Sequence, residues 1–223
     1  MFLCLSILCL IIYIIKKTKS KNSRIKRLIA GNKGEYKVIQ ELKNCQHLNN
    51  IYIEHNNQTT QIDHLLLLNN KTICILETKN WNGIIQGSPW KKYITIFNNG
   101  KTDERFNPYF QTKRQAEMLK QILSSNVKTY IISVGKLQYP NEISNYYISL
   151  KQLKNILKES GYNAHDTDDW NKLKTIKNNT KLQKRIENKH MNTVYKKDKK
   201  QKVSFLWIIF TFMFFIFFIY QQY

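Results

Sequence analysis

Asp63 precedes the tripeptide Glu77-Thr78-Lys79, with an Asn-rich turn, Asn69-Asn70-Lys71, between them. The runs on either side of that turn are rich in Ile, Leu and Thr, which is the pattern of two paired antiparallel strands. With a three-residue loop Leu68 faces Thr72, and counting back along the hairpin sets Asp63 opposite Glu77. Residues two apart share a strand face, so Lys79 joins Glu77 on that side. Two carboxylates and an ammonium therefore converge on one patch. Taken alone, Asp63 and Lys79 read most plainly as a cross-strand ion pair, and only the surrounding sequence argues for chemistry.

The elements that must hold this patch can be read along the chain. From Arg24 to about Asn44 apolar residues recur at a helical period, and one stripe contains Gly31, Glu35, Val38 and Leu42. A carboxylate on a buried face is costly unless it is paired or binds a metal, so Glu35 is either a functional group or a solvated residue on a slightly rotated helix. Gly31 and Gly34 would let that helix approach its neighbours closely. Strands are expected over residues 51–54, 61–68 and 72–78. A further hairpin is signalled by residues 93–97 and Asn98-Asn99-Gly100. Asn107-Pro108 opens a helix running to about Ser124, since asparagine caps and proline suits the first turn. Gln111 lies on one stripe of that helix with Gln115, Met118 and Ile122. Residues 127–134 form a buried strand, residues 146–149 a shorter one, and residues 150–159 an amphipathic helix. The order is α-β-β-β-α-β, an α/β fold with a mixed sheet and flanking helices.

The motifs Gly31-x-x-Gly34-Glu35, Gln61-x-Asp63-His64, Glu77-Thr78-Lys79-Asn80-Trp81-x-Gly83, Gly87-x-x-Trp90 and Asn107-Pro108-x-x-Gln111 follow one another in order. Together they resemble the nuclease-related domain (NERD) family of the PD-(D/E)xK nuclease superfamily, over roughly residues 25–135. Ile62 stands where the superfamily usually has proline before its first catalytic aspartate. The resemblance implies a restriction-endonuclease-like αβββαβ core and a catalytic set of Glu35, Asp63, Glu77, Lys79 and Gln111. Asp63, Glu77 and the main-chain carbonyl of Thr78, with Glu35 as a further ligand, would supply hard oxygens to Mg²⁺ or Mn²⁺. Lys79 would stabilise charge developing on the phosphorus, and Gln111 would hold Lys79 or a substrate phosphate. His64 reads as a supporting residue, and Trp81 and Trp90 suit either base stacking or cover for an open sheet face.

Composition frames this domain. A formal charge of +21 over 223 residues favours a polyanionic partner, nucleic acid or an anionic membrane surface, although abundant Asn, Lys and Ile are also what an AT-rich genome encodes. A hydrophobic fraction of 42% argues against wholesale disorder, and the spacing of Cys4, Cys9, Cys45 and Cys74 suggests neither a zinc site nor a disulfide framework. Residues 1–17 and 203–220 read as an N-terminal anchor and a C-terminal transmembrane helix. Residues 24–165 are the expected nuclease domain, and residues 170–202 an extended or loosely helical basic tether beside anionic headgroups. Lysines flank both apolar stretches on their inner side, which sets the central domain in the cytoplasm. The expected function is a membrane-tethered, metal-dependent nuclease acting on DNA, with no small-molecule cofactor. The alternative is a tethered nucleic-acid-binding module that does not cut.

Overall fold

Asparagine and glycine tolerate a left-handed backbone, and the hairpins turn where they occur. The computed structural model describes residues 26, 28–162 and 164–192, so the apolar stretches at 1–17 and 203–220 lie outside the described residues. Helix α1 (residues 28–42) is followed by strands β1 (His47–His55), β2 (Gln58–Leu67) and β3 (Ile73–Lys79). The β2–β3 loop is the expected one: the Leu68 N–H donates to the Thr72 carbonyl at 2.9 Å, and Lys71 adopts φ 63°. The ladder then pairs Leu67 with Ile73 and His64 with Leu76.

Strands β4 (Gly83–Gln86), β5 (Tyr93–Asn98) and β6 (Lys101–Phe106) come next. Asn98 pairs with Lys101, leaving Asn99 (φ 49°) and Gly100 (φ 73°) as a two-residue loop with positive φ at both positions, the form whose twist matches its strands. Helix α2 (Pro108–Lys120) starts as expected, with the Asn107 side chain accepting from the Tyr109 N–H. Strands β7 (Val127–Ser133), β8 (Leu137–Gln138) and β9 (Tyr147–Ser149) lead into α3 (Leu150–Ile156), which begins with a reciprocal Ser149–Gln152 capping box. Helix α4 (Asp168–Asn178) and a helix α5 (residues 180–192) follow. The stretch expected to be extended or loosely helical from Trp170 onward is thus helical in its described part. Among the described residues no helix is long and apolar enough to cross a membrane.

The strands form two sheets, one of five strands in the order β1-β2-β3-β7-β9 and one of four in the order β6-β5-β4-β8. Strand β3 runs antiparallel to β2 and parallel to β7, so the first sheet is mixed. The expected α-β-β-β-α-β succession is present as α1, β1, β2, β3, α2 and β7, with β4 to β6 inserted as most of the second sheet. Strand β3 is central and buried on both faces. Cys74, Leu76, Leu66 and Ile132 pack with Val38 and Leu42 of α1 and Leu153 of α3, while α2 packs against β7 and β3. The inward side of the second sheet, Ile85, Ile94 and Ile96, packs on Ile131 and Tyr147, with Trp81 against the cluster.

The chain divides into two units, residues 1–50 with 62–172, and residues 51–61 with 173–223. Everything in the candidate site belongs to the first. In the second, the Tyr52 backbone and the Gln183 amide exchange two hydrogen bonds of 2.9 Å, and Glu54 pairs with Arg185 and Lys189.

Candidate active site

The register places Asp63 and Glu77 one step beyond the last pair of the β2–β3 ladder, His64 with Leu76. There the Asp63 side chain takes over from the backbone: its Oδ2 accepts the Thr78 N–H at 3.0 Å. The Thr78 main-chain carbonyl consequently lies past the end of that ladder. Glu77 is 1% exposed. Its Oε1 accepts from the Lys79 Nζ at 2.5 Å and its Oε2 from the Gln115 amide at 3.4 Å. Lys79, with its side chain 19% exposed, is the most accessible end of this chain of contacts.

Burial and like charge set the electrostatics. Burial, and then repulsion from Glu77, push the Asp63 carboxyl up to about 7, against the pull of Lys79 and the Thr78 N–H. The Glu35 carboxyl is also raised, by burial and by Glu77, although the Asn50 side chain bonds it and Lys79 attracts it. Burial works to lower the Lys79 ammonium, but Glu77, Asp63 and Glu35 outweigh it and hold the group above its ordinary value. Three acidic side chains thus face one cation, and their crowding is what favours protons on Asp63 and Glu35.

The supporting residues explain how Glu35 and β3 are held. The buried stripe of α1 is Gly34, Val38 and Leu42, which keeps the expected Val38 and Leu42 but has Gly34 instead of Gly31 and Glu35 and leaves Glu35 half-buried at its flank. A Cβ at Gly34 would stand 3.0 Å from Asn80 Cβ and 3.3 Å from Thr78 Cγ2, whereas one at Gly31 would meet nothing within 4 Å. Close approach of α1 to the end of β3 therefore depends on Gly34 alone of the two. The Asn80 Nδ2 then ties that end to the Ala30 carbonyl at 2.8 Å. His64 is fully buried; its Nδ1 is 2.8 Å from Asn49 Oδ1 and its Nε2 is 3.1 Å from the Thr78 hydroxyl. Since the amide oxygen only accepts, Nδ1 donates and Nε2 accepts. Burial keeps this imidazole neutral, with its pKa down to about 4. His64 is a brace for Thr78, as expected of a supporting residue.

Gln111 lies half-exposed in the first turn of α2, and it is Gln115, one turn further along the same stripe, that bonds Glu77. The sequence signal for Gln115 is its place on that stripe. Residues 30–139 match the family model described as nuclease-related domain. The chain carries a nuclease-related domain. The match embraces α1 from near its start, the whole five-motif succession and β7, so Glu35, Asp63, Glu77, Lys79, Gln111 and Gln115 all fall within it. It gives the chain a nuclease-related function at the level of the family. No match was found among curated proteins or solved structures.

Two features make the nuclease-related domain's patch suitable for a hard cation. Its donors are carboxylate and carbonyl oxygens, and its acids outnumber its one cation, an excess that a divalent ion would offset by displacing their protons. Among the described residues no three His, Cys, Asp or Glu side chains form a metal-holding group, so the third protein donor would be the Thr78 carbonyl. Beside Lys79 across the parallel ladder, the Ser133 hydroxyl is buried with no hydrogen-bond partner among the described residues. Buried hydroxyls usually have one, and this one points to the same face as Lys79.

Proposed function

We propose that this nuclease-related domain hydrolyses phosphodiester bonds in DNA with the help of Mg²⁺ or Mn²⁺. The observation that carries the reading is the acid surplus around Lys79: Asp63, Glu77 and Glu35 beside one ammonium, at the end of a ladder that has released the Thr78 carbonyl. Asp63, Glu77 and that carbonyl would hold the ion, with Glu35 at the margin. Once bound, the ion would polarise the scissile phosphate and lower the pKa of a coordinated water.

The chain's own residues account for the remainder. Lys79, already charged and held on the exposed side of Glu77, offers its ammonium to the oxygen on which charge develops. Glu35, with its raised pKa, can hold a water through its carboxyl and take up a proton from it. Gln115 keeps Glu77 turned toward Lys79, and half-exposed Gln111 is free to meet a substrate phosphate. In the same proposal, the apolar residues 1–17 and 203–220 hold the domain at the cytoplasmic face of a membrane, which rests on the sequence pattern alone.

The test is cleavage of labelled single- and double-stranded DNA, and of RNA, by the full chain in detergent, with Mg²⁺, with Mn²⁺ and with chelator. Metal-dependent cutting of DNA that disappears in Asp63→Ala and Lys79→Ala supports the reading. Retention of DNA without cutting under every condition, unchanged in Asp63→Ala, would replace it with a tethered binding module. Preference for RNA would overturn the choice of substrate.

A further inference from the structure

Strand β6 repeats the local pattern of β3 in a different setting. Asp103 and Arg105 are two apart and share a strand face, as Glu77 and Lys79 do. Arg105 pairs with Ile94 and Asp103 with Ile96, both buried on the inward side of the second sheet, so the arginine is directed toward the first sheet rather than away from it. It ends on Trp81. The guanidinium carbon lies 4.9 Å from the centroid of the Trp81 ring, and Lys79 Nζ lies 5.8 Å from the same centroid. One indole therefore carries two cations, the site lysine and an arginine from another sheet.

The guanidinium is fixed and incompletely used. Asp103 Oδ2 accepts from Arg105 Nε at 3.0 Å and from Nη2 at 2.7 Å. Arginine has five N–H donors, and no other acceptor for Arg105 is present among the described residues. The side chain remains 29% exposed. Stacking holds the guanidinium plane without consuming its donors. An arginine held in this way is preorganised for an oxyanion, and the nearest use for one is on the same polyanion whose scissile phosphate meets Lys79. Along one strand of a duplex a phosphate recurs about every 3.4 Å of axis, so two cations bridged by a single indole span only a few nucleotides.

We propose that Arg105, stacked on Trp81 and oriented by Asp103, is a phosphate-binding subsite that holds the nucleic-acid strand a few nucleotides from the phosphate at Lys79. This rests on the proposed nuclease reading and adds to it a residue on β6 that grips the strand without reacting with it. Trp81 links the two: its ring keeps both cations on one path for the backbone.

The experiment measures binding of a labelled single-stranded DNA oligonucleotide to the full chain in detergent by fluorescence anisotropy, across a salt series. All proteins carry Asp63→Asn, so that cutting does not interfere. Added to that parent, Arg105→Gln is expected to weaken binding about tenfold and to lower the slope of log affinity against log salt by about 0.7, the loss of one phosphate contact. Arg105→Lys is expected to keep the slope and lose about threefold, because a point charge lacks the fork and the stack. Lys101→Gln, the same change of charge on the same strand at a residue with no contact to the Trp81 ring among the described residues, is the control and should change affinity less than twofold. Equal binding by the parent and Arg105→Gln overturns the subsite, and so does an equal loss in Lys101→Gln, which would mean diffuse charge. If Arg105→Gln does not melt cooperatively, Arg105→Lys decides, and affinity equal to the parent overturns the subsite. A parent that binds no nucleic acid at any salt overturns the nuclease reading itself, and this inference with it.

Discussion

Two acid-x-base pairs approach the same tryptophan, and with one spacing in common they differ most in their surroundings. Glu77 and Lys79 stand at the end of a strand buried on both faces, with side-chain exposures of 2% and 19%, and two further carboxylates act on them. Asp103 and Arg105 stand on the edge strand of the second sheet, with exposures of 54% and 29% and matched charge. A buried pair resists the loss of either member because the remaining charge cannot be solvated. An exposed pair is screened and contributes little. The same two-residue spacing thus gives a buried pair crowded by further acids in one place and a solvent-screened pair in the other; the proposed reading makes the first reactive and the second a positioned handle.

The largest difference should appear on removing the cations. Lys79→Met is expected to lower hydrolysis about 10²-fold to 10³-fold, and to cost about 3 kcal/mol in chemical denaturation by stranding Glu77. Arg105→Met is expected to cost less than about 1 kcal/mol. Equal costs would erase the distinction between the pairs.

A smaller effect concerns what keeps the buried pair in place. Gly34→Ala, which brings a methyl group to 3.0 Å from Asn80 Cβ, should cost about 1–3 kcal/mol through overpacking and reduce activity by moving Glu35. Gly31→Ala, which meets nothing within 4 Å, should be neutral or stabilise α1 by up to about 1 kcal/mol. Thermal melts of both variants check this, and an equal loss in the two would assign it to the helix rather than to the site.

The pH dependence should separate the regions more finely. Asp63 is raised from 3.8 to about 7. Its folded form keeps a proton that the unfolded chain has released, so its stability contribution is full below pH 3.8 and is lost as pH climbs to about 7. His64, lowered from 6.5 to about 4, contributes in the opposite sense, fully above pH 6.5 and lost as pH falls to about 4. The two oppose each other over one window. Asp63→Asn removes only the first, so its Tm should rise more steeply than the wild type's between pH 4 and pH 7. Parallel curves would mean that Glu77 and burial do not hold the Asp63 proton. The smallest effect belongs to Asp103→Asn, which should change the Tm of the free protein by no more than about 2 °C, corresponding to less than about 0.5 kcal/mol.

Local rules made much of the first sheet legible. The register that brings Asp63 opposite Glu77 followed from a three-residue loop and a period of two, and both hold because Lys71 accepts a left-handed backbone. The start of α2 followed from Asn107 and Pro108. What could not be read locally depended on rotation or on distant pairing. On α1 the expected Val38 and Leu42 are buried, but Gly34 takes the place of Gly31 and Glu35 on that face, because an apolar pattern does not distinguish a half-buried Glu35 from a buried one. That Gln115 and not Gln111 bonds Glu77 is not legible for the same reason, since helical stripes give direction but not depth. The second sheet needed β4 to pair in parallel with β8, a strand of only two residues, and no short-range signal carries that. Arg105 reaches Trp81 across β5, which pairs with β4 on one side and β6 on the other.

The connection between the sheets is also a mechanical part. Two stretches of chain cross there side by side, residues 80–82 and 134–136. They are stitched by the Val134 N–H to the Lys79 carbonyl at 3.0 Å, the Gly83 N–H to the Lys136 carbonyl at 3.0 Å, and the Lys136 N–H to Asn82 Oδ1 at 2.7 Å. They run so close that a Cβ at Gly135 would sit 2.0 Å from the Trp81 carbonyl oxygen. A single linker would be a pivot, but two bonded linkers form a brace that resists both twist and swing. The second sheet is therefore geared to the end of β3: a load applied to its edge would arrive at Trp81 and Lys79 as displacement of the whole assembly, not as a change in the spacing between them.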